Sequence, residues 1–162
     1  MKSIQRNTLF IFLVLLIACQ PQQPPVTPDK EAITKEVTDQ FNQLISAINK
    51  LDVGAWSAFY SRDAFISSFV STDFYASRSA FADSITYYFS MRERQRLEPA
   101  ELQVTPLSAE LALSTSSEKT EMLLKSGGNY TSKHVFTMIW KKEKDNWKII
   151  HSHESWVVLQ AN

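Results

Sequence analysis

The chain has 162 residues, with 17 lysines and arginines against 17 aspartates and glutamates, and a single cysteine. Such a balance leaves no basic stripe for nucleic acid, and one thiol cannot close a disulfide framework or a zinc cluster within the chain. With 44% hydrophobic and 12% aromatic residues, the polypeptide can instead draw its stability from a packed core.

The first element in chain order is Lys2 and Arg6 followed by nine apolar residues, Leu9 to Ile17. A cationic start and a short apolar middle are the layout of a secretory signal peptide, and the run is far below the about 20 residues that a transmembrane helix needs. It ends in Leu16-Ile17-Ala18-Cys19, which resembles the bacterial lipoprotein signal. That resemblance implies removal of residues 1–18, acylation of Cys19, and a membrane-held mature protein, since a triacylated cysteine exceeds the about two chains that stable anchoring needs. An ordinary secretory cleavage site would want small residues at two positions, and Leu16 is not small. Gln20 stands where an aspartate would retain some lipoproteins in the inner membrane, so the same resemblance implies the outer membrane, facing the periplasm. Cleavage takes away Lys2 and Arg6 and no acid, leaving 15 basic against 17 acidic residues. Residues 19–28 carry Pro21, Pro24, Pro25 and Pro28, four of the six prolines. At about 3.1 Å per residue they read as an extended tether of roughly 25–30 Å. Residues 29–162 are then the size of one domain with one core.

Thr27 and Pro28 predict a helix start, followed by apolar residues at Ile33, Val37, Phe41, Leu44, Ile45, Ile48 and Leu51, the spacing of a long amphipathic helix. Asp52 predicts the cap of a short second helix with Trp56, Phe59 and Tyr60 on one face. Arg62 to Val70 reads as a strand with Phe65, Ser67 and Phe69 on one side, and Thr72 to Ala76 as the start of its partner. Ser77 or Ser79 caps a third helix through Arg94, with Phe81, Ile85, Tyr88 and Phe89 as its buried stripe. After Pro99 the period changes to two, predicting strands around Leu102 and Val104, Leu111 and Leu113, and Met122 and Leu124. Gly127-Gly128-Asn129 marks a turn. Asn129-Tyr130-Thr131 matches a glycosylation sequon, accidental behind a bacterial signal.

Lys133 to Lys142 and Trp147 to Val158 read as a closing hairpin around Lys144-Asp145-Asn146. An even-numbered loop puts His134, Phe136, Met138 and Trp140 on one face with Trp147, Ile149, His151, His153 and Ser155. The opposite face then combines Lys133, Val135, Thr137, Ile139 and Lys141 with Lys148, Ile150, Ser152, Glu154 and Trp156, a mixture suited to a subunit interface.

The residues Ile139-Trp140-Lys141, then Trp147, Ile149, His151, His153 and Ser155, resemble the closing strands of the nuclear transport factor 2-like superfamily, also called SnoaL-like or ketosteroid isomerase-like. They are similar too to those of the association domain of calcium/calmodulin-dependent kinase II. Asp52-Val53-Gly54-Ala55-Trp56 and Phe59-Tyr60-Ser61-Arg62-Asp63-Ala64-Phe65 resemble the family's helix and first strand. The resemblance spans residues 30 to 158 and implies an α+β fold. A curved antiparallel sheet would wrap the long N-terminal helix into a cone with an internal pocket, often dimerised through its outer face. Family enzymes that isomerise or cyclise steroid-like or polyketide substrates pair an aspartate base with a tyrosine or a protonated acid. Here the expected inner face holds no acid, Glu154 points the other way, Asp63 reads as a turn residue and Asp83 as a solvated helix position, and Asp73 remains a candidate elsewhere.

His151 and His153, about 6.5–7 Å apart along one strand, admit three readings. A metal would need a further ligand, for which His134 is the only remaining histidine, and no metal or cofactor is expected. One imidazole in an apolar pocket could act as acid or base, or the pair could simply satisfy each other and nearby hydroxyls. The expected function is a membrane-anchored domain binding a small apolar molecule without catalysis, in a pocket lined by Trp56, Tyr60, Phe136, Met138, Trp140, His151 and His153. The alternatives are an isomerase or cyclase with His151 or His153 as base and Tyr60 as polar partner, or a scaffold. The scaffold's outer face, with Ile139, Ile150 and Trp156, would form a homodimer or dock an envelope protein.

Overall fold

Apolar residues at helical spacing make α1 (Lys30–Asn49) the spine of the computed structural model, which describes residues 28–161. Ile33, Val37, Phe41, Leu44, Ile45, Ala47 and Ile48 are buried along it, the face that the spacing predicts. The helix cap is Asp29, whose carboxylate accepts from the Ala32 N–H at 3.0 Å. Thr27, Cys19 and the apolar leader lie outside the described residues. Beyond α1, Leu51 turns the chain at φ 55°. Asn49 joins the helix to the sheet, donating to the Leu97 carbonyl at 3.0 Å and accepting from the Leu97 N–H at 2.7 Å. Asp52 caps α2 (Val53–Ser57) and Ser77 caps α3 (Arg78–Met91) through their side-chain oxygens. α3 stops short of Arg94, because Arg92 is already extended at φ −93°, ψ 135°. No helix among the described residues is long and apolar enough to cross a membrane.

Six strands form one sheet in the order β2-β1-β6-β5-β4-β3: β1 (Ser67–Val70), β2 (Asp73–Tyr75), β3 (Arg92–Pro106), β4 (Leu111–Leu124), β5 (Asn129–Glu143) and β6 (Asn146–Ala161). β1 runs parallel to β6 and the other pairs are antiparallel, so the sheet is mixed rather than antiparallel throughout. The strands expected after Pro99 are two rather than three. Leu102 and Val104 belong to β3, and Leu111 to Leu124 is one continuous strand. The inner face of β4 is Ala112, Ser114, Ser116, Glu118 and Thr120, all buried, whereas Leu111 and Leu113 face outward and are half-buried. Small side chains fit there because bulky ones from elsewhere fill the space; the fully buried Trp140 indole donates to Ser114 Oγ at 2.8 Å.

The closing hairpin turns on Lys144 and Asp145, with Lys144 at φ 56°. From Glu143↔Asn146 to Trp140↔Ile149 the pairing keeps the expected parity, and Trp140, Trp147 and Ile149 point into the core. The next pair is Ile139↔His151, so Ile150 is an extra residue, a β-bulge, and the inward set on β6 changes from odd to even. Ser152, Glu154, Trp156 and Val158 therefore join His134, Phe136 and Met138 on the inner face, while His151, His153 and Ser155 turn outward. The expected outward group of Ile139, Ile150 and Trp156 does not form, because Ile150 is buried and Trp156 changes sides. The bulge sits where the segment entering β1 meets β6. Ile149 N–H donates to the Phe59 carbonyl at 2.8 Å, Ser61 N–H to that of Ile149 at 2.9 Å, and Ile66 N–H to that of Ile150 at 2.7 Å.

Candidate functional site

The concave face of the sheet, closed by α1, α2 and α3, encloses a cavity of about 430 Å³. Its floor is aromatic because α2 and α3 each present a ring at core-facing spacing: Trp56 to Tyr60 4.8 Å, Trp56 to Phe81 5.0 Å and Tyr60 to Phe81 5.2 Å between centroids. Leu44 and Ile48 of α1 and Ile85 and Phe89 of α3 line its sides, and Phe136 and Met138 its back wall. Trp156 and Val158, 47% and 41% exposed, also line it and mark where it meets solvent.

Of the residues singled out in the sequence, Trp56, Tyr60, Phe136 and Met138 line this cavity together. Trp140 does not reach it and is core. His151 and His153 lie on the other side of the sheet, so their expected place in the pocket is corrected by the bulge at Ile150. His151 Nδ1 is 3.0 Å from Ser67 Oγ, and His153, exposed, has Nε2 3.1 Å from Ser155 Oγ. Glu154, expected to point away, instead lies on the inner face and lines the cavity. Asp73 also lines the cavity, at its edge on β2, whereas Asp63 and Asp83 are exposed and outside it.

Polar groups of β5 and β6 form a hydrogen-bonded strip along one wall of the cavity, with Arg92 and Gln95 of β3, Thr120 of β4 and Asp73 of β2 also lining it. His134, 7% exposed, has Nδ1 2.6 Å from Glu154 Oε1 and Nε2 2.8 Å from Ser132 Oγ. The imidazole lies between two rings, Phe136 and Trp156, each with its centroid 6.2 Å away and tilted by 22°. Stacking and two hydrogen bonds leave it one orientation. Further along the inner face, the Tyr60 hydroxyl donates to Ser152 Oγ at 3.3 Å, which is 2.8 Å from Ser68 Oγ. Burial pushes the Tyr60 phenol well above its ordinary range, so it acts as a neutral donor. Arg92 supplies a cation on the facing wall. Burial lowers its pKa while the Glu154 charge opposes that, and its guanidinium bonds Gln95 Oε1.

Glu118 stands directly opposite His134 in the β4–β5 register. It is 1% exposed, and neither carboxyl oxygen has a hydrogen-bond partner among the described residues. Burial, reinforced by the Glu154 charge, pushes its pKa up to about 7, with the nearby Ser116 hydroxyl opposing. An imidazole thus sits between one carboxylate that bonds it and one acid held close to neutrality. Of these three, His134 and Glu154 line the cavity and can orient a polar group of a ligand, while Glu118 stands behind them, outside the lining.

Alternation from the hairpin turn could not place Glu154 or Ser152, because one inserted residue reverses it. The one trace is the adjacent pair Ile149-Ile150, followed by Trp156 and Val158 at even positions where Trp147 and Ile149 had been odd.

The profile of the SnoaL-like domain matches residues 37–160. No curated protein matches the chain in sequence. Solved structures share the fold at low identity. A nuclear transport factor 2-like superfamily protein from Salmonella enterica serovar Typhimurium superposes with a TM-score of 0.71 at 15% identity, covering 77% of this chain and 91% of that one. A nuclear transport factor 2-like protein from Pseudomonas putida gives 0.67 at 20%, over 77% and 87%. A hexachlorocyclohexane dehydrochlorinase gives 0.65 at 12%, over 79% and 86%.

Proposed function

Since the chain belongs to the SnoaL-like domain family, we propose that it is a lipid-anchored envelope protein whose cavity binds a small, largely apolar molecule. One observation carries the binding reading: an aromatic-floored hollow of about 430 Å³ with a hydrogen-bonded polar strip, His134, Glu154 and Ser132, along one wall. Apolar walls supply affinity through burial and the strip fixes orientation. The anchor rests on Leu16-Ile17-Ala18-Cys19, and the proline-rich tether holds the domain clear of the lipid. Titrating the purified full-length protein with a neutral apolar fluorophore such as N-phenyl-1-naphthylamine should give saturable binding of one molecule per chain. Met138→Trp, which places an indole in the hollow, should weaken it at least about tenfold. Equal binding by the variant would remove the cavity as the site. Cys19→Ser should shift the protein from the membrane fraction to the soluble one and abolish incorporation of labelled palmitate.

The His134–Glu154 pair favours a second reading, proton transfer of the isomerase or dehydratase type, with the carboxylate orienting the imidazole that moves the proton. His134→Gln separates the two. A binder keeps its affinity within a few-fold, whereas an enzyme of this kind loses turnover on any ligand recovered with the protein by about 100-fold or more.

A further inference from the structure

Both nitrogens of His134 are occupied, and the order in which they are occupied is that of a nucleophile relay. Glu154 Oε1 lies 2.6 Å from Nδ1 and Ser132 Oγ 2.8 Å from Nε2. An ionised carboxylate only accepts hydrogen bonds, so the ring proton belongs on Nδ1 and Nε2 offers its lone pair to the Ser132 hydroxyl. Ser132 and His134 are two apart on β5 and share its inner face, and Glu154 reaches them from β6 because of the bulge. Resting on the cavity being a ligand site, we propose that Ser132 is a nucleophile activated by His134 and Glu154, and that the domain hydrolyses a carboxylic ester bound there. An independent observation points to the same spot. Thr120 is paired directly with Ser132 across β4 and β5, lines the cavity, and its buried hydroxyl has no partner among the described residues. A free donor thus stands next to the nucleophile, where the oxygen of a tetrahedral intermediate needs one.

In the first half of the reaction, Ser132 Oγ bonds to the ester carbonyl carbon as its proton passes to His134 Nε2, and the carbonyl electron pair moves onto oxygen beside Thr120. Collapse breaks the bond to the alcohol oxygen, which leaves with the proton from Nε2, and the acyl group remains on Ser132. Water then adds to the acyl carbon and gives its proton to Nε2, Ser132 departs with that proton, and a carboxylic acid is released. The apolar walls select a neutral ester with a compact apolar acyl chain, because a charged peptide would lose its hydration on entry.

The test uses the detergent-solubilised full-length protein, p-nitrophenyl butyrate, a fluorophosphonate reagent and N-phenyl-1-naphthylamine. The wild type should release a burst of nitrophenolate and carry one fluorophosphonate adduct on the peptide containing Ser132. Ser132→Ala should lose the adduct and at least about 100-fold in turnover. Ser132→Cys should still be acylated by the ester, and Glu154→Gln should lower the rate and displace its pH profile. Fluorophore binding by each variant shows that the cavity is intact. Binding without an adduct on the wild type, an adduct that persists in Ser132→Ala, or turnover that rises when that change frees Nε2 overturns the nucleophile and leaves the binding reading standing. Loss of both fluorophore binding and adduct in the wild type overturns both.

Discussion

Replacing Glu118 by glutamine tests the electrostatics of the inner face without changing its shape. In the folded protein the carboxyl holds its proton to about pH 7, against 4.5 for an ordinary glutamate, first because it is buried and second because Glu154 is near. Between those values the folded state binds more protons than the unfolded one. Stability from this group is therefore highest below about pH 4.5, falls as pH rises, and levels off above about pH 7. At about 1.4 kcal/mol per pKa unit the whole shift corresponds to about 3 kcal/mol, and screening by water in the adjoining cavity reduces it to about 2 kcal/mol. Urea unfolding of wild type and Glu118→Gln at a series of pH values reads this directly. The two should be nearly equal at about pH 4.5, and the variant should be more stable by about 2 kcal/mol at about pH 8. A difference that stays constant over that range would show that Glu118 does not titrate there and would refute the reasoning.

Three further outcomes follow from packing and register. Phe41→Ala empties a fully buried position on α1 and should cost about 3–5 kcal/mol in denaturant unfolding. Trp140→Phe removes the indole N–H that bonds Ser114 and leaves that buried hydroxyl unpaired, which should cost about 1–3 kcal/mol by the same measurement. Deleting Ile150 would remove the extra residue and leave Ile139 opposite His151 and Met138 opposite Ser152, so Glu154 stays inward, while the buried Ile150 side chain and its carbonyl's bond from Ile66 N–H are lost. The expected result is a cooperative thermal transition at a lower temperature with fluorophore binding retained, and a deletion variant that binds no fluorophore would show that the far half of β6 does not keep its inward set without the bulge.

Much of the fold was legible because its signals are local. The apolar positions of α1, the caps at Asp52 and Ser77, and the closing hairpin with its short turn all appear in the structure. Trp56, Phe136 and Met138 were legible as lining for the same reason, since α2 and β5 are regular and spacing gives their direction, and Tyr60, just past α2, stays 4.8 Å from Trp56. What spacing could not give was β6 beyond Ile149, since the bulge depends on how the chain from Phe59 to Ser67 bonds along that strand, a contact distant in sequence. Glu118 and Thr120 were hidden for another reason. Polar residues on an inner face carry no apolar alternation, and Leu111 and Leu113 drew the pattern to the wrong side of β4.

The insertion at Ile150 also bears on how chains of this architecture are to be compared. Residues on either side of it obey opposite rules of orientation, so the chemistry shown to a ligand depends on where the irregularity falls as much as on which amino acids the strand contains. Two relatives with the same closing-strand motif and the irregularity one pair apart would offer a guest different functional groups. An ungapped match through that point would equate a wall residue of one with a surface residue of the other.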